Sequence, residues 1–315
     1  MRRTLQAAQR VTHYFDGSLG LSLVGLLTLS AGLLGLSQDP APSTPPAPPQ
    51  VLENTGKPML LPFQCTEEDI QKAGLSCTEE DPCPVYLEIA AVDQGGSRIL
   101  AAGNVHTSSA TLYTILLQSD DFGRTWREPH QRIRAAGLDH IQFLDAETGW
   151  VSGLVLSPLP QEPFLMVTQD GGKTWRQRPV LSESSENRFG SIQQFSFASK
   201  TSGSLIVDRG QASDGDRYEL YESPDAGENW SIKESSSKPI RLRRPPPVPS
   251  TDWRVRADAK TEAFHIESRS ATDRWNMNAA FTVKLAPCKP PVAPQAEEPP
   301  VVPLPPTPPA PAKKK

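Results

Sequence analysis

Past Gly74 the chain shows almost no helical periodicity. Short apolar or alternating runs are separated instead by polar, glycine-marked turns, which is the pattern of strands. Four sets of runs predict strands. The first is Tyr86–Val92, Arg98–Val105 and Leu112–Gln118. The second is His140–Leu144, Gly149–Leu154 and Phe164–Thr168. The third is Ser191–Phe197, Gly203–Asp208 and Tyr218–Glu222, and the fourth is Trp253–Ala257, Ala263–Ser268 and Ala279–Leu285. Upstream, Thr66-Glu67-Glu68-Asp69 begins like a capping box and Gly74 could end a short helix.

The first three sets each end in the same eight-residue motif, [ST]-x-D-x-G-x-[TN]-W. Its fixed positions are Ser119, Asp121, Gly123, Thr125 and Trp126, then Thr168, Asp170, Gly172, Thr174 and Trp175, then Ser223, Asp225, Gly227, Asn229 and Trp230. The tryptophans are 49 and 55 residues apart, a spacing typical of propeller blades. A degraded fourth copy ends at Trp275, in Ser270–Trp275, without the glycine. Three strands plus one begun by the tryptophan make a four-stranded blade, and the chain holds about four such units. The motif has a physical job. The aspartate can accept backbone N–H groups within the turn, the glycine tolerates positive φ, and the tryptophan buries a large ring. Asp121, Asp170 and Asp225 therefore read as structural groups rather than catalytic acids.

The ends of the chain change the picture. Arg2, Arg3 and Arg10 precede Gly17–Ser37, 21 residues without a charge, long enough to span a bilayer. The cationic flank places the chain beyond Ser37 outside the cytoplasm. Two readings stay open: an uncleaved anchor, or a signal peptide cut after Gly35-Leu36-Ser37. Proline is abundant, at 33 of 315 residues, with six in residues 39–50, four in 245–249 and eleven in 289–315. Such tracts cannot build helix or sheet. The organisation is thus a basic n-region 1–16, a membrane or signal segment 17–37, a Pro-rich linker 38–50, a Cys-containing cap 51–84, a β-domain 85–288 and a Pro-rich disordered tail 289–315. The net charge of −4 argues against a dedicated nucleic-acid binder.

Cys65, Cys77, Cys83 and Cys288 are an even set. They show no C-x-x-C and no zinc spacing, so no metal site is expected and two disulfides fit an oxidising compartment. Three connectivities are open. If all four pair, Cys288 must reach back to the N-terminal cluster.

The repeat resembles the Asp-box, or bacterial neuraminidase repeat, of sialidases, sortilin-type receptors and the photosystem II stability/assembly factor family. Phe143–Gly153, FLDAETGWVSG, is most similar to the last of these, whose blades carry F-x-D-x-x-x-G-W-x-x-G before the Asp-box. Phe195–Gly203 echoes it without the tryptophan. The likeness covers about Val85–Lys233. It implies an all-β fold, a small β-propeller of about four Asp-box blades, and a non-enzymatic protein that helps assemble or stabilise a membrane complex. The chain departs from the family in its smaller blade number, its Cys cap and its Pro-rich arms.

A sialidase-like hydrolase is the competing class. It needs converging arginines with a Tyr/Glu pair. Arg134, Arg209, Arg241 and Arg256 and Tyr86, Tyr113, Tyr218 and Tyr221 are the residues available. Tyr218 and Glu219 are sequence neighbours, which point to opposite faces of a strand. His13, His106, His130, His140 and His265 show no ligand spacing, and there is no G-x-S-x-G or H-E-x-x-H. The basic stretch Pro239–Pro245 reads as a loop, and the Asn229-Trp230-Ser231 sequon overlaps the third Asp-box. The expectation is a non-catalytic exported propeller without cofactor. It would bind an unknown protein partner at the outer side of the cytoplasmic membrane, anchored through residues 17–37. A glycan-binding or glycan-cleaving module is the alternative, and a purely structural surface protein a third.

Overall fold

The apolar runs fold as a succession of antiparallel meanders. The computed structural model describes residues 50–156, 162–181, 189–210, 215–242 and 253–290, all within the unit Pro48–Lys315. Residues 17–37 lie outside the described residues, as do nearly all of the linker 38–50, the tail from 291 and residues 243–245 of the basic stretch. Among the described residues no helix is long and apolar enough to cross a membrane.

A short strand β1 (Leu52–Glu53) precedes the helix α1 (Glu67–Lys72). The first meander is β2 (Tyr86–Gly95), β3 (Arg98–His106) and β4 (Thr111–Ser119), followed by the two-residue β5 (Thr125–Trp126). The second is β6 (Ala136–Phe143), β7 (Gly149–Val155), β8 (Glu162–Thr168) and β9 (Arg176–Pro179). The third is β10 (Ser191–Phe197), β11 (Gly203–Asp208), β12 (Tyr218–Ser223) and β13 (Ser231–Ser236). The fourth is β14 (Trp253–Asp258), β15 (Ala263–Arg269) and β16 (Trp275–Thr282). Within each sheet the strands lie in sequence order. The fold is all-β, and its several antiparallel sheets are consistent with propeller blades.

Two expectations need correction. β6 starts at Ala136, four residues before the expected His140, and β16 starts at Trp275 and not at Ala279. The fourth strands also differ. β5 pairs with β1, Leu52 opposite Trp126, while the next residue, Arg127, exchanges backbone hydrogen bonds of 2.8 and 3.0 Å with Gln118 of β4. The outer edge of the fourth sheet is met by Met59, far upstream. The Met59 N–H donates to the Ala280 carbonyl at 2.8 Å and the Thr282 N–H donates to the Met59 carbonyl at 2.9 Å. Buried backbone groups must be paired, and here a distant segment supplies the partners.

Strand burial follows from how many faces a sheet covers. In β3, Ile99 and Ala101 fill a core shared with Trp126 and with Ile266 and Phe281 of the fourth sheet. Leu100 and Ala102, pointing the other way, fill a core with Leu138, Val151 and Met166 of the second sheet. The second sheet repeats the device. Val151, Phe164 and Met166 face the first sheet, whereas Trp150, Leu165 and Val167 face Phe195, Phe197, Leu205 and Val207 of the third. The packing order is therefore fourth, first, second, third. Among the described residues no hydrophobic core joins the third sheet to the fourth. The middle two sheets are sandwiched and read as continuous apolar runs. The outer two join a hydrophobic core on one side, yet their central strands still bury consecutive residues, Leu205, Ile206 and Val207 in β11 and His265, Ile266 and Glu267 in β15.

Candidate functional site

The three loops that end in Trp126, Trp175 and Trp230 share one hydrogen-bond scheme. The Ser119 hydroxyl donates to Asp121 Oδ1 at 2.8 Å and accepts the Gly123 N–H at 2.7 Å. Asp121 Oδ1 accepts the Thr125 N–H at 2.9 Å, and Oδ2 the Thr125 hydroxyl at 2.7 Å. Thr168, Asp170, Gly172 and Thr174 repeat these bonds at 2.9, 2.8, 2.9 and 2.6 Å. Ser223, Asp225, Gly227 and Asn229 repeat them at 2.9, 2.9, 2.9 and 2.7 Å, with the Asn229 amide in place of the hydroxyl. Each tryptophan indole N–H donates to the carbonyl of its own motif glycine, at 3.2, 3.1 and 3.1 Å for Trp126, Trp175 and Trp230.

The environments of the tryptophans are equivalent. Trp126 lies in the core between the fourth and first sheets, Trp175 between the first and second, and Trp230 packs on the core between the second and third. Each meets a phenylalanine ring: Phe281 at 5.4 Å, Phe143 at 6.2 Å and Phe197 at 6.0 Å. The degraded copy is different. Trp275 lies under the Arg254 guanidinium, 4.0 Å from the ring centroid, outside the three cores.

The carboxylates are consumed by this work. Burial opposes the charge of Asp121, but the N–H and hydroxyl of Thr125 and the hydroxyl of Ser119 outweigh it and hold the carboxyl down at about 2. Burial likewise opposes the charge of Asp170, and its bonds from Thr174 and Thr168 hold it below the ordinary range. Asp225 is held low by the side chain and backbone of Asn229.

The four cysteines form two disulfides, Cys65–Cys288 and Cys77–Cys83. They close the region around α1. Thr66 caps that helix, accepting the Asp69 N–H on its hydroxyl at 3.2 Å, while Asp69 Oδ2 accepts the Thr66 N–H at 2.8 Å. The buried Asp69 also accepts the Tyr113 hydroxyl of β4, and Arg134 Nη2 lies 3.1 Å from Asp69 Oδ1. Arg134 donates to the Tyr113 oxygen at 2.9 and 3.1 Å. Burial and the neighbouring Asp69 push the Tyr113 hydroxyl above its ordinary range. This knot welds the cap to the first sheet. A cleft of about 360 Å³ opens beside it, lined by Asp69, Lys72, Ser109, Thr111, Leu112 and Arg134 among others.

Two larger clefts adjoin the segment Leu60–Phe63. One, of about 540 Å³, is lined by Gln50, Leu52, Leu61, Pro62, Leu117 and Arg127–Gln131. The other, of about 530 Å³, is lined by Leu60–Gln64 and Ala286. Leu60 is 60% exposed and Val51 55% exposed. Sequence periodicity gave no hint of these clefts, because irregular chain forms them. The single available signal is the apolar run Met59-Leu60-Leu61 inside a polar, cysteine-rich stretch.

The arginines considered for a hydrolase are not brought together. Arg134 pairs with Glu68 and Asp69 at the cap, Arg209 with Glu219 in the third sheet, and Arg256 with Glu267 and Asp258 in the fourth. The tyrosine–glutamate pairing is not the adjacent Tyr218-Glu219. The Tyr221 hydroxyl donates to Glu219 Oε2 at 2.7 Å, two residues apart on one strand face. Burial, reinforced by Glu219, pushes that hydroxyl upward. His265 is buried and takes a bond from Arg256 Nη2 at 2.7 Å. Among the described residues no group of three or more His, Cys, Asp or Glu could hold a metal ion.

No family model and no curated protein matches the chain. Solved structures similar to it include YCF48 bound to D1 peptide, at 18% identity and a TM-score of 0.34, covering 64% of this chain and 58% of that one. The phage phi92 endosialidase is 11% identical with a TM-score of 0.35, covering 61% and 42%. A Penicillium chrysogenum α-L-arabinanase complexed with arabinobiose is 15% identical with a TM-score of 0.34, covering 64% and 63%. The chain thus spans less than two thirds of each. At these TM-scores the likenesses do not bear on function.

Proposed function

We infer that the chain is a non-catalytic propeller protein whose four sheets act as blades, and that it binds a protein partner on the outer side of the cytoplasmic membrane. On this reading residues 17–37 anchor it and the Pro-rich linker holds the sheets off the surface. The observation that carries the partner-binding reading is the exposed Leu60, which lines a cleft of about 530 Å³, while the next residues Leu61 and Pro62 line both that cleft and a second one of about 540 Å³. A large apolar side chain held out of the core beside concave surface suits an apolar segment of another protein. The shared scheme of the Asp-box loops fits the same reading, since their carboxylates spend their acceptor capacity on their own turns.

The test is affinity capture from membranes with the full chain and its Leu60→Asp variant. A protein retained by the wild type and lost with L60D supports the reading. Equal recovery by both, or recovery of bait alone, overturns it. Turnover of a fluorogenic sialoside or arabinoside by the purified chain would overturn the non-catalytic assignment.

A further inference from the structure

The two disulfides are not independent. Cys83 of one stands directly opposite Cys288 of the other in an antiparallel bridge. The Cys83 N–H donates to the Cys288 carbonyl and the Cys288 N–H to the Cys83 carbonyl, each at 2.9 Å. Directly opposed residues of an antiparallel pair point to one face, with Cβ atoms about 4.5–5.5 Å apart. A disulfide needs a Cβ separation of about 3.5–4.5 Å, so a small shift puts Cys83 within bonding reach of Cys288. Access differs among the four. Cys77 and Cys288 are buried, whereas Cys65 and Cys83 are half-exposed.

We propose that the four cysteines form one thiol–disulfide exchange site, which an external dithiol converts from Cys65–Cys288 plus Cys77–Cys83 to a single Cys83–Cys288 bond. In the first step a thiolate of the dithiol attacks Cys83 Sγ, the Cys77–Cys83 bond breaks, and Cys77 leaves as a thiolate. The second thiolate of the dithiol then attacks its own mixed-disulfide sulfur, closing the reagent as a disulfide and releasing the Cys83 thiolate. Two electrons have passed from the dithiol to the protein. The Cys83 thiolate next attacks Cys288 Sγ, the Cys65–Cys288 bond breaks, and Cys65 leaves as a thiolate and takes a proton from water. This last step is an isomerisation with no net redox change.

The product differs in what it ties. Cys83–Cys288 still joins the entry of β2 to the chain beyond β16, where the Leu87 and Leu285 N–H groups already bond to Val283 and Val85. The sheets stay linked. Cys65, next to the helix cap Thr66, is released, and so is the seven-residue loop Cys77–Cys83. The α1 region is then held by the Asp69–Tyr113–Arg134 knot without a covalent bond, and Cys65 and Cys77 become free thiols.

The experiment is limited reduction of the full chain with dithiothreitol, followed by alkylation and non-reducing peptide mass mapping. The expected result is a one-disulfide species carrying Cys83–Cys288, with alkylated Cys65 and Cys77, as the main member of that pool. A pool containing only Cys65–Cys288 or Cys77–Cys83 overturns the proposal. A second variant isolates the isomerisation. In Cys77→Ser the unpaired thiol is expected to be shared between Cys65 and Cys83, with Cys83–Cys288 detected without any reductant. Alkylation at Cys83 alone would refute the exchange. If C77S does not fold, the wild-type map decides by itself.

Discussion

The first three sheets and the fourth are held in different ways. In the first three, a turn of eight residues closes on itself through the same hydrogen bonds and sends one tryptophan into the adjoining core. All partners lie within a few residues, so the fastening is written locally and can be repeated. The fourth sheet has no such turn. It is held by the Met59 bridge, by the Asn54 amide, which donates to the Gly123 and Asn278 carbonyls at 2.7 and 2.6 Å, and by Cys65–Cys288. The Asn54–Asn278 and Cys65–Cys288 ties are 224 and 223 residues apart in sequence. Long-range ties must overcome the loop entropy that a local turn avoids, which makes covalent bonding most effective at the fourth sheet.

The largest expected effect comes from that contrast. Removing Cys65–Cys288 opens a closure across 223 residues, and the chain-entropy model assigns it about 5 kcal/mol, against about 2 kcal/mol for the short Cys77–Cys83 loop. Denaturant unfolding of the double variants C65S/C288S and C77S/C83S, which leave no thiol to exchange with the remaining bond, should reproduce that ranking. Equal losses would mean that the fourth sheet does not depend on its covalent tie.

The next test grades the local fasteners. Trp126 is fully buried against Phe281, while Trp230 is half-buried. Trp126→Ala should cost about 4 kcal/mol and Trp230→Ala about 2 kcal/mol. If the two cost the same, the loops act as isolated turns and the cores behind them contribute little.

A smaller effect separates the two devices by pH. The folded pKa of Asp121 is about 2, below its ordinary 3.8, so folding favours the charged form. Its contribution is whole above about pH 4 and fades as pH falls through about 2. Asp145 behaves alike, held at about 2 by Lys200 and by the N–H groups of Glu147 and Thr148. Asp121→Asn should cost about 2 kcal/mol at neutral pH and flatten the loss of stability between pH 4 and 2. C65S should leave that slope unchanged, because a disulfide does not titrate there. Unfolding midpoints measured across this range check both statements.

Much of the sheet pattern was legible in the residues, and the reason is physical. β10 and β11 begin and end where their apolar runs do, since burial of one face fixes register within a strand. The Ser/Thr–Asp–Gly–Thr/Asn–Trp spacing carried the loops, because every bond in them is local. Three things were not legible. Ala136-Gly137-Leu138 carries little strand signal, yet it joins β6 because the Leu138 N–H and carbonyl both bond to the side chain of Asn104. Met59 offered no sign of pairing with the fourth sheet. The clefts around Leu60–Phe63 arise where irregular chain crosses sheet edges. Each of these depends on partners far away in sequence, which no periodicity encodes.

The smallest prediction concerns a position that the motif leaves free. The residue before each motif glycine also has positive φ: Phe122 at 57°, Gly171 at 72° and Ala226 at 66°. A side chain costs about 1 kcal/mol there, and a glycine returns part of that gain through the entropy of the unfolded chain. Phe122 is 60% exposed, so its ring gives up little burial. Phe122→Gly should therefore stabilise by about 0.5 kcal/mol, a rise in Tm of about 1–2 °C. The reverse change in the second loop should cost more. A Cβ on Gly171 would fall 1.6 Å from Arg98 Nη1 and 2.7 Å from the Ala146 carbonyl, and a bond from the Gly171 N–H to the Glu147 carbonyl fixes that approach. Opposite signs for F122G and G171A, read by thermal melts, would show that the loops share a backbone and differ in what crowds them. A lower Tm for F122G would instead assign the exposed phenylalanine ring a packing role in the first loop.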